Sequence, residues 1–445
     1  MTLVFAGRHE AARKDRLSEM STRILLAMFS AFIFLLVLLP SGSLWNVNIK
    51  AVFSVILFLL VLGHALNNGI NKQIFNATLF LIAASTFLLL WLFIGLLKFE
   101  GSEFYGLTQM KDFVATISAT WVGYYLYRSN VFKWQFFFLL VLWSHVTYIF
   151  IKLIFFCLIV TNVISLGAFV DAVRDIFHVT IVSLDLLAVF EGLSFIRLDL
   201  LNDSLSPFLL LFLLNVDLFK VKITPKVRYL IYLLLFLNLV ISFKRSLIMA
   251  ALIAIAYSVV VLMKSNARLT TVITLTVATL LLYSIYPVEL NYLFTERFLS
   301  ASQEASDITR SEQIGILINE FSENPLFGKG LGGYSKLQIR AVDLPYTYEV
   351  QWLAFLMQFG IIGLIIVFLI YSLTIAPILK SGLIVDFKVK SIILLAFVLW
   401  GLMSFTNPMM TASFCSVFYT LLLLSSLELA TNRPFGGTKS EITVS

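Results

Sequence analysis

The chain has 445 residues, of which 60% are hydrophobic and 13% are charged. A soluble domain carries about 25% charged residues, so this composition excludes a water-soluble globular protein and predicts a protein embedded in lipid. The formal net charge is +7, but in a membrane protein the positions of the basic residues are more informative than their sum. We therefore expect no nucleic-acid partner.

The N-terminal segment, from Met1 to Arg23, is polar and basic. The apolar run that follows, from Ile24 to Leu39, has no small-residue cleavage site. This pattern predicts a retained first helix with a cytoplasmic flank rather than a cleaved signal peptide.

Apolar runs of about 20 residues, the length that a helix needs to cross the hydrocarbon, recur along the chain. They predict an all-α, polytopic integral membrane protein with about 12 transmembrane helices in a single domain over residues 1–445. The predicted spans are 24–40, 49–66, 77–97, 112–127, 134–160, 205–219, 229–243, 246–263, 269–287, 351–378, 391–407 and 411–429.

Two connections between these spans are long, residues 162–204 and 288–350. Long connections in compact proteins are commonly functional. The first alternates apolar stretches with charged residues, which predicts an external loop carrying short helices on the membrane surface, with re-entrant pieces as the alternative.

The basic residues predict the orientation of the chain in the membrane. Nineteen of the 32 lysine and arginine residues fall in the tails and short loops on one side, and this side is cytoplasmic by the positive-inside rule. Both termini are then cytoplasmic, and loops 162–204 and 288–350 lie on the opposite, external side of the membrane.

Isolated cysteine and histidine residues carry little functional signal. Cys157 and Cys415 lie in apolar runs without a spacing motif, which predicts free, buried thiols. His145 and His178 are each alone, and we expect His145 to be a hydrogen-bonded core residue. The spacing of His, Cys and carboxylate residues predicts no metal site.

The loop 288–350 contains most of the residues capable of chemistry. Residues 309–321 have helical spacing, and Asn324-Pro325 stops the helix before a glycine-rich run. Gly328, Gly330 and Gly333 have the spacing of a dinucleotide fingerprint, but no strand precedes them, so we discount that motif. The glycines predict either a loop with unusual backbone angles or a role in shaping an acceptor site or a lipid-phosphate site.

Two charged residues each allow a structural and a functional interpretation. Arg245 lies in a tight turn between two apolar spans, where it either snorkels to the interface or binds an anionic headgroup. Glu349 lies just before an apolar helix, where it either stabilises the helix N-terminus or acts as a general base.

The motifs between residues 242 and 410 together resemble those of bacterial O-antigen polymerases and the related O-antigen ligases. The resemblance rests on the Ser-x-x-Arg245-Ser turn, on Arg310 followed by Asn324-Pro325-Leu326-Phe327-Gly328-Lys329-Gly330, and on Tyr348-Glu349 ahead of Gly360-Ile361-Ile362-Gly363. Thr406-Asn407-Pro408 is similar to the polymerase branch.

The resemblance implies a fold like that of the type C glycosyltransferases and inverting transfer of a growing glycan from undecaprenyl diphosphate. The acceptor would be a hydroxyl of a single lipid-linked repeat unit, at the periplasmic face of a bacterial inner membrane. Glu349 would be the base, and Arg245 and Arg310 the cations that stabilise the diphosphate. The implied substrate-binding residues are Arg245, Gly328, Lys329, Gly330, Tyr334, Arg340, Tyr348 and Arg310. No cofactor or metal is implied, and membrane lipid and a chain-length-determining co-polymerase are the other implied partners.

Two other functions compete with polymerisation. An O-antigen ligase would transfer the glycan to lipid A core, but the ligase branch carries histidine at the position of Glu349, and this departure favours a polymerase. A transporter or flippase also suits about 12 spans, and Lys152, Asp217 and Asn238 favour it. Against a transporter, most charges lie in external loops and no internal repeat is visible.

Overall fold

The computed structural model describes residues 2–39, 48–68, 71–98, 103–177, 183–190, 193–262, 301–339, 344–381, 387–406 and 408–431. The predicted span 269–287, His178, Arg340 and Asn407 lie outside these residues. Within them the chain is a polytopic bundle of α-helices with one short β-hairpin.

The first seven helices are α1 (Thr2–Leu38), α2 (Ile49–Asn68), α3 (Lys72–Lys98), α4 (Glu103–Arg128), α5 (Trp134–Val160), α6 (Leu166–Phe177) and α7 (Ser206–Leu214). The other seven described helices are α8 (Pro225–Ser242), α9 (Arg245–Tyr257), α10 (Ala301–Glu323), α11 (Gln351–Ser372), α12 (Ala376–Lys380), α13 (Phe387–Met403) and α14 (Cys415–Thr431).

Six of the described helices, α1, α2, α3, α5, α8 and α11, are long and apolar enough to cross a membrane. Shorter apolar helices occur at Leu201–Leu214, Arg245–Val261 and Cys415–Ala430. A multi-pass membrane protein is thus confirmed, whereas the sidedness and the full number of crossings stay predictions. The predicted span 112–127 is the second half of α4, whose charged first half extends it to 26 residues.

The predicted span 205–219 was wrong as a continuous crossing. The α-helix there, α7, has only 9 residues and is flanked by 3-10 turns at Leu201–Leu205 and Val216–Phe219. Helix α7 is buried on all sides. Its uniform hydrophobicity therefore reflects burial between other helices, among them α8, α9 and α13, rather than a lipid-crossing length.

The loop 162–204 contains a short helix, as predicted, and also a β-hairpin, which was not predicted. Helix α6 is amphipathic and buries Phe169 and Val173 against the bundle, as expected of a surface helix. The strands β1 (Ser183–Phe190) and β2 (Leu193–Asp199) form an antiparallel hairpin with a bulge between Leu186 and Ala188. An exclusively helical fold was therefore wrong for this segment, where alternating apolar and polar residues pair as strands.

The polar end of this loop enters the protein interior instead of remaining outside. Asp203 is fully buried, and its carboxylate accepts a hydrogen bond from Lys152 Nζ at 2.8 Å and one from Tyr148 Oη at 2.8 Å. Lys152 Nζ also donates to Asn238 Oδ1 at 2.9 Å. Lys152 and Asn238, which favoured a transporter in the sequence, thus belong to an ion-paired internal network between α5, α8 and the 3-10 turn.

His145 and the two cysteines were predicted to lie in the protein interior. His145 is buried and its Nε2 lies 2.8 Å from Ser206 Oγ, which confirms a hydrogen-bonded core histidine. Both cysteines are free. Cys415 is buried as predicted, but the prediction was wrong for Cys157, which is exposed on the outer face of α5, because an apolar residue in a membrane helix can face lipid as readily as protein.

Candidate functional site

Arg310 and Glu349, which are 39 residues apart in the chain, are in direct contact. Arg310 Nε donates to Glu349 Oε2 at 2.8 Å, and the two side chains remain 28% and 22% exposed. The pair therefore lies at an accessible surface and not in the apolar core. This contact between a guanidinium and a carboxylate defines the candidate site.

Helix α10 positions Arg310 through the face that it turns toward α11. Gln313 and Leu317 lie one and two turns beyond Arg310 on this face, and both are buried. Leu317 packs with Tyr348 and Met357, and Gln313 Oε1 accepts a hydrogen bond from the Glu349 backbone N–H at 3.2 Å. The predicted helix over 309–321 is confirmed, and its residues Ile314 and Ile318 are exposed.

The chain between α10 and Tyr334, residues 324–334, forms what we call the glycine loop. The loop lies against a break in α11 at Gly360, whose φ is 64° and ψ is −174°. The break releases helical backbone groups, which pair with the loop: Ile361 N–H donates to Pro325 O at 2.9 Å, and Gly330 N–H donates to Gln358 O at 2.8 Å. Trp91 Nε1 donates to both Phe327 O and Phe359 O at 3.0 Å.

The backbone N–H groups of the glycine loop are occupied by the protein itself. The amides of residues 328–331 donate in turn to Asn324 O, Met357 O, Gln358 O and Trp91 O. Gly332 N–H donates to Gln109 Oε1 at 2.7 Å and Gly333 N–H to Gly330 O at 3.2 Å. A phosphate-binding nest needs free amides, so these contacts support the interpretation of Gly328 and Gly330 as residues that allow an unusual, close-packed loop.

Gly330 offers a test of this close packing. Its φ is +87°, and a Cβ atom built on it would lie 2.0 Å from the Gly95 backbone N. We expect Gly330→Ala to destabilise the protein by about 1–3 kcal/mol, as overpacking does, measured by thermal unfolding in detergent. The control is Gly315→Ala in α10, where nothing lies within 4 Å and alanine should stabilise the helix by up to about 1 kcal/mol. Equal stability of the two variants would contradict the docking of the loop.

Lys329, one of the implied substrate-binding residues, is already paired within the protein. Its Nζ contacts Glu320 and lies 3.4 Å from Glu323 Oε2. Burial lowers the pKa of the Lys329 ammonium, whereas the neighbouring carboxylates favour its charged form. The charge of Lys329 is therefore largely balanced by α10, and its role in binding a diphosphate stays a prediction.

Several tyrosine side chains lie at the end of the glycine loop and just before Glu349 in the chain. The Tyr334 and Tyr105 rings meet edge to face at 5.7 Å, and Tyr346 lies 6.4 Å from Tyr105. Tyr348 is only 1% exposed, and its hydroxyl accepts the Ser335 N–H at 2.8 Å. Burial raises the pKa of both Tyr346 and Tyr348, so both are neutral. Tyr348 thus buttresses the loop, while the half-buried Tyr334 presents a ring at the surface.

Arg245 lies at the turn between α8 and α9, whereas Arg310 lies on α10. It begins α9 directly after a turn in which Phe243 adopts a left-handed conformation with φ 41°. Asp199, at the end of β2, lies 2.9 Å from Lys244 Nζ and 3.2 Å from Arg197 Nη2, and Arg197 Nε donates to the backbone O of Ser242 at 3.2 Å. The hairpin thus holds the α8–α9 turn, and with it the half-buried Arg245.

Several supporting residues were missed by the sequence analysis because their partners are far away in the chain. Lys98 Nζ donates to Asn324 Oδ1 at 2.8 Å and to Gly328 O at 3.2 Å, which adds a basic group beside the glycine loop. Gln109 and Gln358 are buried and hydrogen-bonded to each other at 2.8 Å. Buried polar residues within apolar spans were the only signal that could have indicated them.

The arrangement can accept a proton at Glu349 and stabilise negative charge at Arg310. In the described part of the chain, no three His, Cys, Asp or Glu side chains are placed to share a metal ion, and the need for a metal or cofactor stays untested. The pair could therefore support transfer of a group from an anionic leaving group to a hydroxyl.

Comparison with known families gives a match in the C-terminal half. Residues 230–368 match the family model described as O-antigen ligase. The matched segment begins in α8 and ends in α11, so it includes Arg245, Arg310, the glycine loop and Glu349. Comparison with curated proteins gives no match.

Proposed function

Because residues 230–368 form a domain of the O-antigen ligase family, which confirms the family predicted from the motifs, we propose that this protein polymerises lipid-linked oligosaccharide repeat units. The family acts on lipid-linked glycans. The finer proposal is that the donor is a growing glycan on undecaprenyl diphosphate and the acceptor is a single lipid-linked repeat unit, joined at the periplasmic face of the inner membrane.

The contact between Arg310 and Glu349, at 2.8 Å, is the observation that carries this proposal. Both residues lie inside the matched segment, and the resemblance to the polymerases implies a role for each. An inverting transfer needs a base for the acceptor proton and a cation for the departing diphosphate. The pair supplies one of each at an accessible surface.

Glu349 and Arg310 would each act in one part of the glycosyl transfer. The acceptor hydroxyl oxygen attacks the anomeric carbon of the donor sugar, and its proton passes to the Glu349 carboxylate. The bond between that carbon and the diphosphate oxygen breaks, and the electron pair leaves with the lipid diphosphate. Arg310 then has two anionic partners, so donor binding would draw the guanidinium toward the diphosphate and free Glu349 to accept the proton.

Arg245 is the second cation in the proposal. Its guanidinium can donate two parallel hydrogen bonds to a phosphate, which a lysine ammonium cannot do. The Asp199–Lys244–Arg197 cluster holds the α8–α9 turn, and this support favours a fixed clamp over a mobile, snorkelling side chain. Tyr334 and Lys98 would line the approach of the substrate to Arg310 and Glu349. Gly328, Gly330 and Tyr348 would support the glycine loop.

Replacing Arg245 with alanine should abolish the polymer ladder while protein levels stay unchanged. We expect a loss of at least about 100-fold, the size seen when one charge-stabilising donor is removed. Arg245→Lys should restore little activity. The measurement is a gel of surface polysaccharide from a deletion strain complemented with each variant. The control is Lys226→Ala at the exposed start of α8, and a normal ladder from Arg245→Ala would contradict the clamp.

The same gel distinguishes polymerase from ligase. A strain without the polymerase should carry lipid A core with one repeat unit, whereas a strain without the ligase should accumulate free lipid-linked polymer. Glu349 in place of the ligase histidine favours the first outcome. A co-polymerase that sets chain length stays part of the proposal.

A further inference from the structure

The first half of the glycine loop follows α3 away from the charged end of that helix. It begins where Lys98, the last residue of α3, donates from Nζ to Asn324 Oδ1 at 2.8 Å. It then reaches Trp91, whose Nε1 donates to Phe327 O at 3.0 Å. Trp91 precedes Lys98 by seven residues, about 10 Å along the helix. The loop therefore descends beside α3 from its charged end toward its apolar middle.

The second half of the glycine loop returns to the level at which it began. Leu331 N–H donates to Trp91 O at 3.1 Å, and the Tyr334 ring then meets that of Tyr105, in the first turn of α4, at 5.7 Å. Because a short connection joins α3 to α4, the start of α4 lies at the same end of the bundle as Lys98. The loop thus enters and leaves on one side, which is the path of a re-entrant segment.

The two residues at the tip of the loop, Leu326 and Phe327, are exposed between exposed apolar residues of α3 and α11. Leu326 O accepts from the N–H of Ile362 at 3.2 Å, and Ile362 is exposed on α11. The Phe327 ring lies 6.3 Å from that of Trp91, and Leu90, the residue before Trp91, is exposed on α3. Both helices are long and apolar enough to cross a membrane, so their exposed apolar side chains are the ones that meet lipid. The tip continues this surface.

The backbone of the glycine loop has the hydrogen bonding that hydrocarbon requires. Non-helical backbone is tolerated at membrane depth only where the protein satisfies its polar groups. Every N–H from Gly328 to Gly333 donates to an acceptor within the protein. The carbonyls of residues 325–327 each accept a hydrogen bond from α11 or α3. The occupied amides, which argue against a phosphate nest, are therefore what an inserted loop needs.

Charged side chains flank the tip but do not occur in it. Residues 324–328 contain no Asp, Glu, Lys or Arg. Lys98 lies where the loop begins, and Lys329, just after the tip, contacts Glu320 and lies 3.4 Å from Glu323 Oε2 at the end of α10. Long basic side chains can bury their stems in an apolar layer and keep their charge at its surface. The charges thus mark a polar boundary with the tip beneath it.

We infer that the glycine loop is a re-entrant membrane segment whose tip, Leu326 and Phe327, contacts the acyl chains of the bilayer. Bilayer lipid is the occupant because the tip continues the exposed apolar surfaces of two crossing helices and lies at the depth of both. The inserted loop would hold the end of α10, and with it the helix that carries Arg310, against the membrane surface. This inference concerns where the loop lies and does not rest on the proposed glycan transfer.

The test places a nitroxide label at three positions of nearly equal exposure. Leu326 is 55% exposed, and Leu90 on α3 and Ile308 on α10 are each 56% exposed. Each is replaced by cysteine in a Cys157→Ser background, because Cys157 is exposed whereas Cys415 is buried. The full-length protein is labelled in detergent and reconstituted in phosphatidylcholine vesicles. Power saturation of the EPR signal then compares collisions of the label with oxygen and with a water-soluble nickel chelate.

The Leu326→Cys label should behave like the Leu90→Cys label. We expect its oxygen-to-nickel collision ratio to exceed that of Ile308→Cys by at least about 10-fold, because hydrocarbon excludes a polar chelate but not oxygen. A ratio equal to that of Ile308→Cys would overturn the inference, since the tip would then lie in water. A label at Leu326 that is shielded from both reagents would also overturn it, because a protein surface would then cover the tip.

A second variant tests the depth of the tip without a spin label. In open membrane fragments, Phe327→Cys should resist a charged, water-soluble maleimide that modifies Ile308→Cys, and both should react once the protein is unfolded in detergent. Rapid modification of Phe327→Cys in the fragments would contradict insertion of the loop. Neither measurement uses a glycan substrate, so the inference and the proposed function can fail separately.

Discussion

Glu349→Gln should reduce glycan transfer by at least about 100-fold, the contribution expected of a general base, while the protein remains folded. Glutamine keeps the shape of the side chain and an oxygen that can accept from Arg310 Nε, which is 2.8 Å from the carboxylate. It cannot take a proton from the acceptor hydroxyl. The loss should therefore appear in the turnover rate and not in the binding of the lipid-diphosphate donor.

The measurement is polymer formation from purified lipid-linked repeat units, together with binding of the donor to the same preparation. Glu323→Gln is the matched control, because Glu323 lies at the end of α10 beside the glycine loop and its side chain is 64% exposed. The control should retain nearly full activity. Substantial polymerisation by Glu349→Gln would rule out the carboxylate as base, and loss of donor binding alone would assign it a positioning role.

Lys152→Met should cause the largest loss of stability of any single substitution proposed for this protein. Lys152 and Asp203 are 2.8 Å apart with side chains 2% and 0% exposed. Removing one partner of a buried ion pair leaves an uncompensated charge and costs about 3–5 kcal/mol in free energy of unfolding. Methionine has a similar length, so the charge rather than the packing is tested. Thermal or chemical unfolding in detergent gives the difference.

A double variant separates the buried charge from the lost contacts. The substitution Asp203→Asn removes the carboxylate charge but keeps an oxygen that can accept from Tyr148 Oη or the Leu200 N–H, each of which donates to Asp203 at 2.8 Å. Lys152→Met combined with Asp203→Asn should therefore be more stable than Lys152→Met alone. The exposed pair of Arg228 and Asp217 is the control, where Asp217→Asn should cost no more than about 1 kcal/mol. Equal effects at the two pairs would contradict a low-dielectric setting for Lys152.

Hydropathy was a good guide to the helices because each apolar run must be long enough for the membrane or for the core. Helices α1, α2, α3, α5, α8 and α11 lie where the runs predicted them. Hydropathy cannot distinguish a lipid-facing surface from a protein-facing one, since both are apolar. This is why the buried α7 was taken for a full crossing and the exposed Cys157 for a buried thiol.

Charge in the sequence was interpreted too simply as a sign of exposure. Asp203 and Arg197 were assigned to an external loop, yet both are buried. A charged side chain can enter the interior when a partner neutralises it, and the partners, Lys152 and Asp199, are recognisable only when the chain is folded. The β-hairpin that carries Arg197 was also unpredicted, since two short strands give a weak pattern beside long helices.

The amino-acid sequence alone determined the class of protein, the approximate helices and the identity of Glu349 and Arg310 as a candidate base and cation, because these depend on composition and local motifs. Only the tertiary structure decided that the two side chains touch, that the glycine loop lies against the break at Gly360, and that its amides are already hydrogen-bonded. The physical reason is distance along the chain. A contact across 39 residues, or between a loop and a broken helix, arises from packing and leaves no periodic pattern in the sequence.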